Sequence, residues 1–132
     1  MLDYNESMQQ DQGAMTVEDY FGQQAESRAI FDVLWELVEG LDGVTLQVTK
    51  SQVAFRRRTA FAWAWMPGQY LRRSSAPLVL TIGLRRRDPS PRWKQVVEPA
   101  PGRFTHHLEL YASEDLDDEV RQWLQEAWEQ AG

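Results

Sequence analysis

Five residues of this 132-residue chain combine side chains able to grip an anion with positions a fold can gather: Lys50, Arg72, Arg73, Arg92 and His106. Guanidinium groups offer paired donors to a phosphate or carboxylate, and an ammonium adds a compact charge. Lys50 falls at a break between two strand-like segments, Arg72 and Arg73 precede another, and Arg92 lies in a proline-bearing stretch. His106 shares the apolar row of Phe104, Leu108 and Leu110 in the last strand-like segment, so its ring faces the core and needs a polar partner. If the stretch carrying Arg92 folds back over the sheet, these groups meet in an anion pocket. The plainer alternative is a core histidine bonded to its neighbours, with solvated arginines.

A second set joins Arg56, Arg57, Arg58 and Arg85, Arg86, Arg87 to the aromatic residues Trp63 and Trp65. Cations interleaved with exposed rings are what single-stranded nucleic acid needs, because arginine follows phosphates while rings stack on bases. Alternation sends Arg57 to the face opposite Arg56 and Arg58, and the net charge is −6, so nucleic acid is not the expected partner.

Other chemistry finds little support. The chain has no cysteine, which removes thiol nucleophiles and cysteine-bound zinc. His106 and His107 alternate to opposite faces; only His107 and Glu109 share one, and two ligands fall short of a usual site. The acidic cluster Glu114, Asp115, Asp117, Asp118 and Glu119 opens a helix, where carboxylates meet the positive end of the dipole. The nucleophile elbow, P-loop, dinucleotide and zinc-protease signatures are absent, and nothing in the spacing favours Ser51 or Ser113 as a partner for His106. No catalytic residue, metal or cofactor is assigned.

The elements that must position these groups show in the periodicity. Residues 1–15 are polar and Gln-rich, which reads as a tail. Thr16, with Asp19 three residues on, caps a short helix carrying Val17, Tyr20 and Phe21. From Ser27 the residues Ile30, Phe31, Leu34, Leu37, Val38 and Leu41 recur at helical spacing, and Gly40 and Gly43 supply stops. The period then becomes two: Val44, Leu46 and Val48, a break over 49–52, then Val53 and Phe55. Phe61, Trp63 and Trp65 alternate with Ala60, Ala62 and Ala64, giving a strand with one bulky face and one thin face that admits close packing. Leu78, Leu80, Ile82 and Leu84 form another strand, and Phe104 to Leu110 the last.

Between them, residues 85–103 hold Pro89, Pro91, Pro99 and Pro101; too long for a hairpin, this is the expected functional loop. Ser113 is read as the cap of a final helix with Leu116, Val120, Trp123, Leu124 and Ala127 inward. Trp35 and Trp128 fall off the main stripes and are candidates for a homodimer or protein-partner surface.

Charge divides along the chain. Residues 1–27 hold six acids and no base, residues 28–104 thirteen bases and six acids, and residues 105–132 one base and eight acids. A basic middle with acidic ends is either an anion-binding surface or a basic sheet neutralised by acidic helices. No apolar run approaches the roughly 18 to 20 residues that cross a bilayer. The basic and apolar parts of a targeting segment are also missing near the start. A cytoplasmic protein with no membrane contact is expected.

Segments 16–21 (TVEDYF), 49–55 (TKSQVAF), Phe61-Ala62, Pro91-Arg92-Trp93, 103–106 (RFTH) and 116–124 (LDDEVRQWL) together resemble domain of unknown function 5655, a bacterial family. The resemblance covers residues from Thr16 to the C-terminus. It implies a small α+β domain, like other compact bacterial domains with frataxin-like and DNA-binding-protein-like folds, with basic or polar residues at the positions of the cationic set. It implies no activity. It also implies a glycine in the turn after the second strand, where this chain has Arg57-Arg58-Thr59.

The expected fold is α+β: residues 16–132 as one domain, with an antiparallel sheet of four to five strands flanked by N- and C-terminal helices. The helices are expected on one face. The expected function is non-catalytic binding of an anionic small molecule near Lys50, Arg72, Arg73, Arg92 and His106, with a protein-interaction module, nucleic-acid binding or an enzyme as alternatives.

Overall fold

The computed structural model describes residues 15–69 and 76–132. The tail assigned to residues 1–15, apart from Met15, and the pair Arg72 and Arg73 lie outside them. The chain begins with α1 (Val17–Phe21) and α2 (Ala25–Glu39). Thr16 caps α1 as expected: its hydroxyl accepts from the Asp19 amide at 3.0 Å, and the Asp19 carboxylate accepts from the Thr16 amide at 3.0 Å. This reciprocal pair satisfies two amides that have no partner within the helix. α2 buries Ile30, Phe31, Leu34 and Val38 along one stripe, and α1 docks on it through Phe21 and Phe31, with ring centres 5.1 Å apart.

Six strands follow: β1 (Thr45–Val48), β2 (Val53–Arg56), β3 (Ala60–Trp65), β4 (Leu78–Leu84), β5 (Gln95–Ala100) and β6 (Arg103–Leu110). They form one antiparallel sheet in the order β1-β2-β3-β4-β6-β5. The fold class is the expected α+β, with one strand more than the upper count. The extra strand is β5, which occupies part of the stretch read as an irregular loop. It lies at the sheet edge with most of its residues exposed, so burial imposes no apolar alternation on it. Pro99 is tolerated because an edge strand need not donate on its outer side, and the β5–β6 pairing is irregular between Val97 and Ala100.

The final helix, α3 (Asp118–Gln130), begins later than expected. Ser113–Asp115 forms a 3-10 turn, and the cap is Asp117, whose carboxylate accepts from the Val120 amide. The expected inward row Leu116, Val120, Trp123, Leu124 and Ala127 is buried, with Leu116 preceding the helix at the end of the 3-10 turn.

α2 and α3 cover the same sheet face. Val53, Phe55, Ala62, Ala64, Leu80, Ile82, Leu108 and Leu110 all point into this layer and are at most 3% exposed. The alanines of β3 give the thin face on which α3 seats. The bulky residues of that strand, Trp63 and Trp65, consequently face the other side of the sheet, where no described helix packs.

Candidate functional site

The expected cationic pocket does not assemble from its described members. Lys50 is exposed in the β1–β2 turn, while His106 lies on β6, beyond the intervening strands β2, β3 and β4. His106 does face inward, fully buried, and residues 85–94 fold back over it. The groups they deliver are not guanidiniums. The Asp88 amide donates to His106 Nε2 at 3.0 Å, and Trp93 stacks at a tilt 4.8 Å from the imidazole. A backbone amide and an indole can share that dry layer at little cost, whereas a buried guanidinium would forfeit its hydration.

Arg92 turns outward to α3, donating to both Asp117 oxygens at 3.0 Å, to Glu119 at 2.9 Å and to the Asp115 carbonyl at 3.0 Å. The acidic cluster thus serves the helix start and its arginine partner. Asp88, nearly buried, accepts from Arg86 at 2.8 Å, Trp93 Nε1 at 2.9 Å and the Ser90 amide at 3.1 Å. Burial opposes its charge, but these bonds together hold its carboxyl below the usual range. Burial lowers the His106 pKa despite the Ile82 carbonyl beside Nδ1.

The arginine triplets are dispersed rather than forming one patch. Arg57 donates to the Trp128 carbonyl and lies 3.8 Å above the Trp128 ring. Arg86 grips Glu126 through two bonds, and Arg87 sits 5.4 Å over Phe104. Trp128 further donates to the Asp42 carbonyl at 2.8 Å, and Trp35 stacks on Phe55. The two tryptophans proposed for a partner surface are therefore built into the fold. α3 and its cap neutralise two of the basic residues, Arg86 through Glu126 and Arg92 through Asp117 and Glu119, which is one part of the balance that the charge division allowed.

Free chemistry remains at the sheet end beside α3 and on the helix-free face next to it. A cavity of about 520 Å³ opens at the sheet end where the β2–β3 turn, the end of β4 and the β5–β6 turn approach the last turn of α3; its lining includes Arg58, Phe61, Trp63, Arg85, Pro99 and Arg103. A second, of about 340 Å³, lies over β3, β4 and β6 and is lined by Gln52, Trp63, Trp65, Thr81, Thr105 and His107, with Ser51 at its rim. Trp63 and Thr105 line both, so the two adjoin as one trough. Gly83 forms part of its floor, and a Cβ there would lie 3.6 Å from the Trp63 ring.

At the end of the trough nearest α3, Arg58, Arg85 and Arg103 are all exposed, and among the described residues none forms an ion pair. Arg85 is positioned by its bond to the Gln130 carbonyl at 3.0 Å, at a helix end that has no basic residue of its own.

At the other end, Trp65 Nε1 donates to Thr81 Oγ1 at 2.9 Å, and Thr81 Oγ1 lies 2.7 Å from His107 Nδ1. Burial, with a smaller effect from neighbouring His106, lowers the His107 pKa and so favours the neutral ring. Trp63 and Trp65 were legible as candidates. His107 and Thr81 were not, because their contact depends on the β4–β6 register, which pairs the two residues directly.

Among the described residues no group of three or more His, Cys, Asp and Glu side chains is arranged to hold a metal ion, and no helix is long and apolar enough to cross a membrane. Comparison with curated proteins and with solved structures returns no match. A family model does match, over residues 17–131. The chain belongs to the family described as domain of unknown function (DUF5655).

Proposed function

We propose that this domain binds a small ligand, part planar and part anionic, in the trough that runs from the last turn of α3 onto the helix-free face of its sheet. The observation that carries this reading is the adjoining pair of cavities, with three arginines outside any ion pair among the described residues at one end and two tryptophans along the floor. Volumes of about 520 and 340 Å³ are in the range that holds small organic ligands, roughly 300–1,000 Å³. The arginines supply paired donors for a phosphate or carboxylate, and the indoles supply flat apolar surface for a ring. The binding of an anionic small molecule expected from sequence is retained, but relocated from Lys50, Arg92 and His106 to Arg58, Arg85 and Arg103.

The test is thermal unfolding against inorganic phosphate, nucleoside monophosphates and aromatic carboxylates. Saturation near 100 times Kd stabilises a one-site complex by about 2.7 kcal/mol, a rise of several degrees. Arg103→Ala abolishes the rise while leaving the unliganded midpoint unchanged. No shift with any of these compounds refutes the reading.

A further inference from the structure

Thr81 is 5% exposed and stands between two ring nitrogens. An indole N–H only donates, so Thr81 Oγ1 accepts from Trp65. The hydroxyl has one hydrogen to place. Were His107 also to donate to Oγ1 through Nδ1, that hydrogen would have no acceptor among the described residues, in a side chain nearly closed to water. The arrangement that satisfies every group has Thr81 donating to Nδ1, which puts the imidazole proton on Nε2. That nitrogen has no protein partner among the described residues, and the ring lines the smaller cavity.

We propose that the Trp65–Thr81–His107 chain fixes His107 as a neutral donor through Nε2, making the trough selective for nucleotide-like ligands whose ring carries a hydrogen-bond acceptor. This rests on the ligand-binding reading above and adds to it the class of ligand. Four residues separate Arg85 from Thr81 and Arg103 from His107, roughly 13 Å at about 3.3 Å per residue. That span suits a nucleoside monophosphate, with phosphate at the arginines, base against the indoles of the floor, and a base carbonyl or ring nitrogen at His107 Nε2.

Two measurements on the full chain test the inference. The first is a long-range proton–nitrogen NMR spectrum of the imidazoles in the free protein. The His107 proton is expected on Nε2, with loss of that preference in Thr81→Val; a proton on Nδ1 in the unsubstituted protein overturns the proposal.

The second is calorimetric titration with uridine and adenosine 5′-monophosphates and with inorganic phosphate. His107→Phe is expected to weaken nucleotide binding about tenfold, which corresponds to the loss of one hydrogen bond, and to leave phosphate binding unchanged. His107→Gln, whose amide can donate from a similar place, restores most of the loss. Equal nucleotide affinity in the unsubstituted and Phe proteins overturns the selectivity while the binding reading stands. Binding of phosphate but not of nucleotides overturns the ligand class alone, and binding of neither removes the reading on which it rests.

Discussion

Replacing Asp88 with alanine removes the acceptor of three donors at once: Arg86, the Ser90 amide and Trp93 Nε1. The three losses differ in size. Arg86 is about half exposed and keeps its two bonds to Glu126, so its share is small, at most about 1 kcal/mol. The Ser90 amide is only partly buried and finds water. The Trp93 indole, 9% exposed and packed between His106 and Trp123, is left with an unsatisfied N–H at a cost of about 1–3 kcal/mol. The sum is about 1–4 kcal/mol, or roughly 10 °C in melting temperature near the upper part of that range for a domain of this size.

Urea denaturation of Asp88→Ala, Trp93→Phe and the double variant measures it. Trp93→Phe keeps a ring in place but removes the orphaned donor, so the double variant is expected to lose less than the two single losses combined, with a coupling of about 1 kcal/mol or more. Asp88→Ala within about 0.5 kcal/mol of the unsubstituted protein, or strict additivity in the cycle, refutes the account of this cluster.

His106 and His107 are both held below their ordinary pKa of 6.5. The unfolded chain therefore binds protons that the fold resists. Stability is full above that value and declines as pH falls through it, by at most about 2.7 kcal/mol per pH unit. A flat stability between pH 7.5 and 5.5 contradicts this. Arg57→Ala, which removes both the bond to the Trp128 carbonyl and the contact over its ring, is expected to cost about 1–2 kcal/mol by denaturant titration. Gly83→Ala places a methyl at ordinary contact distance from Trp63. Stability is expected to hold within about 1 kcal/mol, while any ligand that melts higher with the unsubstituted protein loses affinity because the trough floor rises.

What the sequence revealed depended on the range of each interaction. The stripe of α2, the row of α3 and the parity of β3 are local patterns forced by burial on one side, and alternation alone turned His106 inward. β5 left no such trace, because an exposed edge places little demand on side-chain type and Pro99 obscures the rest. The partners of Arg92 lie 25 and 27 residues away, and the meeting of Thr81 with His107 spans 26. No spacing rule reaches that far. The start of α3 was misplaced because Ser113 and Asp117 are both good caps, and only the 3-10 turn between them separates the choices.

The outer margin formed by β5 bears on how copies of this domain behave when crowded. Its pairing with β6 is disturbed between Val97 and Ala100, and Pro99 has no N–H to offer a newcomer. A strand from a neighbouring molecule that begins to zip along this margin is halted within a few residues. Copies can therefore lie side by side at high concentration without this border templating a growing ribbon.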